Sequence, residues 1–233
     1  NGKKTGLWEI FSKSGNLERK ENWLNNKLHG RYEIYWPNGK VRHRGQYLEG
    51  ALSGLWERYS LGGNLIKRSN WLENKKHGNT VIFFSNGKIQ RKGDFYLGKK
   101  TGVWQRYRDT GVPLRKAEWK NNKQNGVYLQ YWHNGKIQLK GQYKNGKRVG
   151  IWSQISLDGK VEKKASYING IEIARANING VPPPFNASTN QDHEAQIYTG
   201  GVPDRFSISD FSSILVEGNN VLAIQAHNVS LWS

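Results

Sequence analysis

The chain has 233 residues, no cysteine and no methionine, 27 glycines and 12% aromatic residues, and 36 Lys and Arg against 18 Asp and Glu, net +18. The lack of cysteine excludes disulfides and thiolate chemistry, and the richness in glycine and aromatics with few helix signals points to the all-β class. The charge is lopsided: residues 1–164 hold 34 basic against 12 acidic side chains, and residues 165–233 hold 2 against 6. Two modules with separate roles are expected from that break.

In chain order, Asn1-Gly2-Lys3-Lys4-Thr5 matches Leu97-Gly98-Lys99-Lys100-Thr101, so the chain is expected to begin inside an earlier copy of a repeat and to be a piece of something longer. A glycine then recurs at Gly6, Gly30, Gly54, Gly78, Gly102, Gly126 and Gly150, every 24 residues. A second series runs Gly15, Gly39, Gly63, Gly87, Gly111, Gly135 and Gly159, and an aromatic series runs Trp23, Tyr47, Trp71, Phe95, Trp119, Tyr143 and Tyr167. Three registers held over seven copies establish a tandem repeat. Within each copy the apolar residues alternate with period two, which is the pattern of strands.

The copy GVYLQYWHNGKIQLKGQYKNGKRVG, Gly126–Gly150, reads as one β-hairpin with its exit turn. His133-Asn134-Gly135-Lys136 is the expected tight turn, Ile137–Tyr143 the second strand, and Asn145-Gly146 the turn into the next copy. Residues 1–168 are thus predicted to form an elongated antiparallel sheet of tandem 24-residue hairpins, two strands per copy and almost no helix. Pro113 is expected to disturb the second strand of the fifth copy. A period of 48 is also visible, since copies with Trp8, Trp56, Trp104 and Trp152 alternate with copies bearing Tyr32, Thr80 and Tyr128.

These residues resemble the MORN-type repeats, through the pattern G-x-W/Y-x-x-Y…NGK…G-x-Y-x-NGK-x-x-G, and most closely the bacterial variant often labelled an antitoxin. The resemblance implies a hairpin array that binds or scaffolds, with no catalytic residues to carry over. From Tyr167 the text changes. YINGIEIARANI, HEAQIYTGG and FSISDFSSILVEGNNVLAIQAHNVS resemble the later part of a galactose-binding-like jelly roll of secreted bacterial multidomain proteins. Residues 169–233 are therefore expected to be a partial jelly-roll-like segment, an end cap or remnant module.

The clearest functional pattern is a basic ladder, Lys20, Arg44, Arg68, Lys92, Lys116, Lys140 and Lys164, one at the same place in each copy and expected on the face opposite Leu17, Val41, Leu65 and Ile89. Equivalent strands are about 10 Å apart, so the rungs only partly screen one another. The functional reading is an anion site, for a lipid surface or an acidic polysaccharide; the competing one is a solvated face that deters edge pairing. Nucleic acid fits less well, because no base-reading element is recognisable. Trp8, Trp56, Trp104 and Trp152 form an alternative aromatic binding face for a sugar or an acidic protein, set against plain packing.

Catalysis has little support. His29 and His77 sit four strands apart, about 19 Å, too far to share a metal. Asp192-His193-Glu194 is the one acid–histidine cluster. The sequence therefore predicts a non-enzymatic scaffold without metal or cofactor, secreted or on a bacterial surface. The second reading is an antitoxin- or immunity-like protein, cytoplasmic, that neutralises a protein partner through its aromatic face.

Overall fold

The computed structural model describes residues 2–177, with side chains to residue 173. The segment from residue 178 on, with most of the jelly-roll-like stretch and Asp192-His193-Glu194, lies outside the described residues.

Fifteen antiparallel strands form one open sheet in sequence order, with no helix among the described residues. They are β1 (Gly6–Phe11), β2 (Leu17–Leu24), β3 (Lys27–Tyr35), β4 (Val41–Leu48), β5 (Ala51–Tyr59), β6 (Leu65–Leu72), β7 (Lys75–Phe83) and β8 (Ile89–Tyr96). They continue as β9 (Lys99–Tyr107), β10 (Pro113–Lys120), β11 (Lys123–Tyr131), β12 (Ile137–Lys144), β13 (Lys147–Ile155), β14 (Val161–Ile168) and β15 (Ile171–Asn177). The two strands per 24 residues read from the sequence are what the chain forms. Two compact units divide it: Asn1–Leu114 with Trp119–Asn122, and Arg115–Glu118 with the chain from Lys123 on.

Two kinds of turn alternate, and they reverse the expectation for the hairpin tip. Within a copy, Gly135 N–H donates to the Trp132 carbonyl at 3.1 Å and Trp132 N–H to the Lys136 carbonyl at 2.8 Å. That is a three-residue loop with a single left-handed residue, Gly135 at φ 83°, and not a two-residue Asn-Gly turn. The tight two-residue turns lie between copies, where both central residues have positive φ, as in Asn145 (52°) and Gly146 (86°). At one of these turns stands Leu97, φ 45°, where Asn25, Asn121, Asn145 and Asn169 occupy the equivalent place. A leucine there costs about 1 kcal/mol against a residue that tolerates this conformation. Leu97→Asn is therefore expected to raise stability by about that amount in urea melts.

The alternation of Asn and Gly at the second turn position has a cause beyond backbone freedom. In Asn26, Asn74 and Asn122 the side-chain Oδ1 accepts the backbone N–H of Lys4, Leu52 and Lys100, at 2.6, 2.8 and 2.7 Å. Each asparagine N–H returns a bond to the same residue's carbonyl. Successive copies are tied in this way by a reciprocal pair of bonds, and each such bond contributes about 1 kcal/mol. The Asn-Gly-Lys tips add a second tie: Lys40 Nζ donates to the Gly62 carbonyl and Lys88 Nζ to the Thr110 carbonyl, at 2.8 and 2.9 Å.

Pro113 does not break its strand; it is the first residue of β10, a place where the missing N–H is tolerated. A register shift near the start of β2, and likewise of β4, β6, β8, β12 and β14, overturns the expectation for Leu17 and its equivalents. Leu17 pairs with Phe11 and Lys20 with Glu9, two residues apart on β1, so the bulge brings Leu17 to the ladder's own face. Val41, Leu65 and Ile89 follow, paired with Tyr35, Tyr59 and Phe83.

Candidate anion-binding faces

On a strand successive side chains point to opposite faces, so each copy offers two rows. The ladder's row is considered first, in the unit holding Asn1–Leu114. Lys20 lies between Glu9 and Glu33, and its Nζ is 2.7 Å from Glu9 Oε1. Arg44 lies between Glu33 and Glu57, its Nε 2.6 Å from Glu57 Oε2. Arg68 has Glu57 on one side and Val81 on the other, and Lys92 has Val81 and Gln105. The opposing residue thus changes along the array from carboxylate to neutral. Arg44, Arg68 and Lys92 also stand over Tyr59, Phe83 and Tyr107, 5.3, 5.8 and 5.9 Å from the ring centres.

The glutamates of the early copies are built into this face. Tyr59 donates its hydroxyl to Glu57 Oε2 at 2.7 Å, and Tyr35 does the same for Glu33. Burial works to raise the Glu57 carboxyl, but the Tyr59 hydroxyl and Arg44 outweigh it and hold it below its usual value. The reciprocal effect, burial first and then the glutamate hydrogen bond, pushes the Tyr59 hydroxyl up to about 12.

In the second unit, Lys116 holds the same place on β10, Lys140 lies between Leu129 and Ser153, and Lys164 between Ser153 and Ala176. No carboxylate stands opposite Lys140 in register.

The tryptophans belong to the other face, and the register explains the period of 48. A Cβ on Gly45, Gly93 or Gly141 would fall closer than 3.0 Å to the ring of Trp56, Trp104 or Trp152. Each of these indoles lies flat on a glycine of the preceding strand. Where the first strand has Tyr32, Thr80 or Tyr128 instead, the preceding strand carries Glu21, Ser69 or Ala117. The indole N–H groups are used inside the fold, donating to the carbonyls of Gln46, Asp94 and Gln142 at 3.0, 3.1 and 3.2 Å. Edge-on aromatics close the clusters: Tyr47 on Trp56, Phe95 on Trp104 and Tyr143 on Trp152, at 5.2, 5.1 and 5.0 Å. Trp152 is 3% exposed, whereas Trp8 is 42% exposed. Trp152 is buried, Trp56 and Trp104 are half-buried on their glycines, and Trp8 is the most exposed of the four.

This aromatic face also holds cations that the sequence reading passed over. In the first unit Arg58 pairs directly with Lys67 and Arg91 with Arg106, like charges face to face across neighbouring strands. Lys4, Lys76 and Lys100 each lie over two rings; Lys100 Nζ is 4.7 Å from the centre of Trp104 and 4.5 Å from Trp119. In the second unit Arg148 takes that place over Trp152 and Tyr167. The available signal was a basic residue two before the repeat glycine in four of the seven copies, at Lys4, Lys76, Lys100 and Arg148.

The histidines are apart: His29 Nδ1 is 3.1 Å from Glu49 Oε1, and His77 packs against Tyr96. Among the described residues no three His, Asp or Glu gather as a metal site would require.

The MORN repeat variant family matches four segments, residues 4–25, 28–49, 76–96 and 124–145. No curated protein matches the chain. Solved structures with partial likeness include S. aureus TarM in complex with Fondaparinux, alpha-GlcNAc-glycerol and UDP, at 12% identity over 52% of this chain and 21% of that one, TM-score 0.25. The Photorhabdus luminescens Tc holotoxin pore has 14% identity over 70% of this chain and 11% of that one, TM-score 0.21. TcdB2-TccC3-TEV has 14% identity with the same coverages, TM-score 0.20. The chain spans about a fifth of the first of these and less of the others, and at such scores none bears on its function.

Proposed function

The chain carries repeats of the MORN variant family within residues 4–145, and from that premise we propose that it is a binding scaffold, not an enzyme, that docks on an anionic surface through its basic ladder. The observation that carries this reading is the presence of a cation at the same place in all seven second strands, with a carboxylate in register opposite Lys20, Arg44 and Arg68 and none opposite Lys92 or Lys140. Lys92 faces Val81 and Gln105, and Lys140 faces Leu129 and Ser153, so no carboxylate in register offsets these two rungs. A lipid surface with anionic headgroups, or an acidic glycan, suits such a row because neither demands a fixed register.

The test is cosedimentation with anionic and neutral vesicles, and retention on a sulfated glycan, at about 50 and about 300 mM salt. Binding to anionic surfaces that weakens steeply with salt is the expected result. Salt-insensitive, one-to-one binding to a single protein would overturn it in favour of a neutralising partner protein.

A further inference from the structure

The fourth copy departs from the repeat at one inward position of the aromatic face. Tyr32 lies 5.1 Å from Tyr47 and 5.9 Å from Trp56, and Tyr128 lies 5.5 Å from Tyr143 and 5.3 Å from Trp152. The equivalent residue beside Phe95 and Trp104 is Thr80, which has no ring. No ring stands over Thr80, and neighbouring side chains close the place instead, since Thr80 is 3% exposed.

What surrounds that place is polar and positive. Thr80 pairs with Ser69 on one side and Gly93 on the other. Thr80 and Ser69 are each 3% exposed, and Thr80 Oγ1 is buried without a hydrogen-bond partner. A buried hydroxyl left unpaired is destabilising, a deficit that a ligand oxygen brought to it would remove. In the sixth copy the cation diagonal to the tyrosine, Arg115, rests over the Tyr128 ring at 5.4 Å. Lys67 stands at the equivalent place beside Thr80, with no ring to cover, and comes up against Lys76. Lys76 Nζ reaches over Phe95 at 4.9 Å, and Arg91 is diagonal to Thr80 from the far side. Lys67, Lys76, Arg91 and Lys100 make no ion pair among the described residues.

We propose that this place binds a phosphate-class oxyanion, a phosphate monoester or pyrophosphate, which draws the Lys67, Lys76 and Arg91 side chains off Thr80 and is gripped by them beside its hydroxyl. Several convergent cations suit a multiply charged tetrahedral group with three free oxygens better than a planar, singly charged carboxylate. The electrostatics agree: burial, then Lys76, Arg58 and Arg91, holds the Lys67 ammonium below its usual value, and burial, then Arg91 and Lys76, does the same for Lys100. A bound anion relieves that repulsion. The site is on the face opposite the ladder, since Lys67 and Arg68 are neighbours on β6, so it stands whether or not the ladder binds a surface.

The decisive variant is Thr80→Tyr, which restores the ring found in two other copies and changes no charge. Calorimetric titration of the whole chain with pyrophosphate is expected to saturate at one per chain. Thr80→Tyr, checked as folded by circular dichroism, should bind at least about tenfold more weakly, a loss of about 1.4 kcal/mol. Lys67→Gln with Lys76→Gln should weaken binding as well, while Lys13→Gln with Lys120→Gln, at two exposed lysines outside both faces' proposed sites, should bind as wild type. Vesicles with phosphatidic acid, compared with phosphatidylglycerol, identify the carrier. A monoester preference that Thr80→Tyr abolishes assigns the site to a lipid headgroup, and pyrophosphate binding without that preference assigns it to a soluble ligand; either supports the proposal. Equal affinity of wild type and Thr80→Tyr for both probes, or no saturable binding of either by the wild type, overturns it.

Discussion

Gly141→Ala is expected to destabilise the second unit by about 3 kcal/mol, although it adds one methyl group. Trp152 is 3% exposed and its ring covers Gly141, with Tyr128, Tyr143 and Tyr167 around it and its N–H bonded to the Gln142 carbonyl. A Cβ at Gly141 cannot coexist with the ring, because the atoms it would meet belong to the indole itself and not to the tip of a flexible chain. The indole must swing out, which forfeits packing on the scale of an aromatic deletion, about 3–5 kcal/mol, offset partly by the small gain of replacing glycine in a strand. A double variant separates this account from a general intolerance of the site. Gly141→Ala with Trp152→Tyr recreates the Ala117–Tyr128 combination that the fifth and sixth copies already use. Urea melts should show the double variant closer to wild type than Gly141→Ala is, a positive coupling. If the two changes simply add, Trp–Gly stacking is not what sets the period of 48.

That period shows how much of the molecule is legible in the sequence. The 24-residue spacing, the two strands per copy and the between-copy turns depend on local pattern, and local pattern is what a sequence displays. The reason for the doubled period is not local. Gly45 and Trp56 are on adjacent strands, and a register shift next to Gly45 lets the ring lie across it. The same kind of shift hid the true face of Leu17, because alternation counted through a bulge gives the wrong side. The ladder itself was legible, since Lys20, Arg44 and Arg68 recur at fixed spacing. The like-charge pairs Arg58–Lys67 and Arg91–Arg106 were not, because their members are paired by register and not by period. Thr80 was noticed only as a departure from an aromatic. Its meaning needed the three-dimensional fact that its hydroxyl is buried without a partner.

The ladder's rungs should differ in what they contribute to an anionic surface, and the difference is testable within each unit. Near such a surface each uncompensated Lys or Arg contributes about 1 kcal/mol. Lys116→Gln with Lys140→Gln should therefore lower the vesicle partition coefficient about thirtyfold, the equivalent of about 2 kcal/mol. In the first unit the rungs are already engaged: Lys20 with Glu9 and Arg44 with Glu57. Neutralising only the cation there would leave a bare carboxylate and mislead. The informative variants remove both partners, Lys20→Gln with Glu9→Gln and Arg44→Gln with Glu57→Gln, and leave net charge unchanged. These are expected to bind vesicles within about twofold of wild type, because a closed ion pair offers a surface little attraction. The converse change is Leu129→Glu, which puts a carboxylate opposite Lys140 as Glu57 stands opposite Arg44. It should weaken binding by silencing a rung that keeps its lysine. Equal losses from the pair-removal and the Lys116/Lys140 variants would show that the row does not act rung by rung. No loss from Lys116→Gln with Lys140→Gln would make the ladder a solvated face.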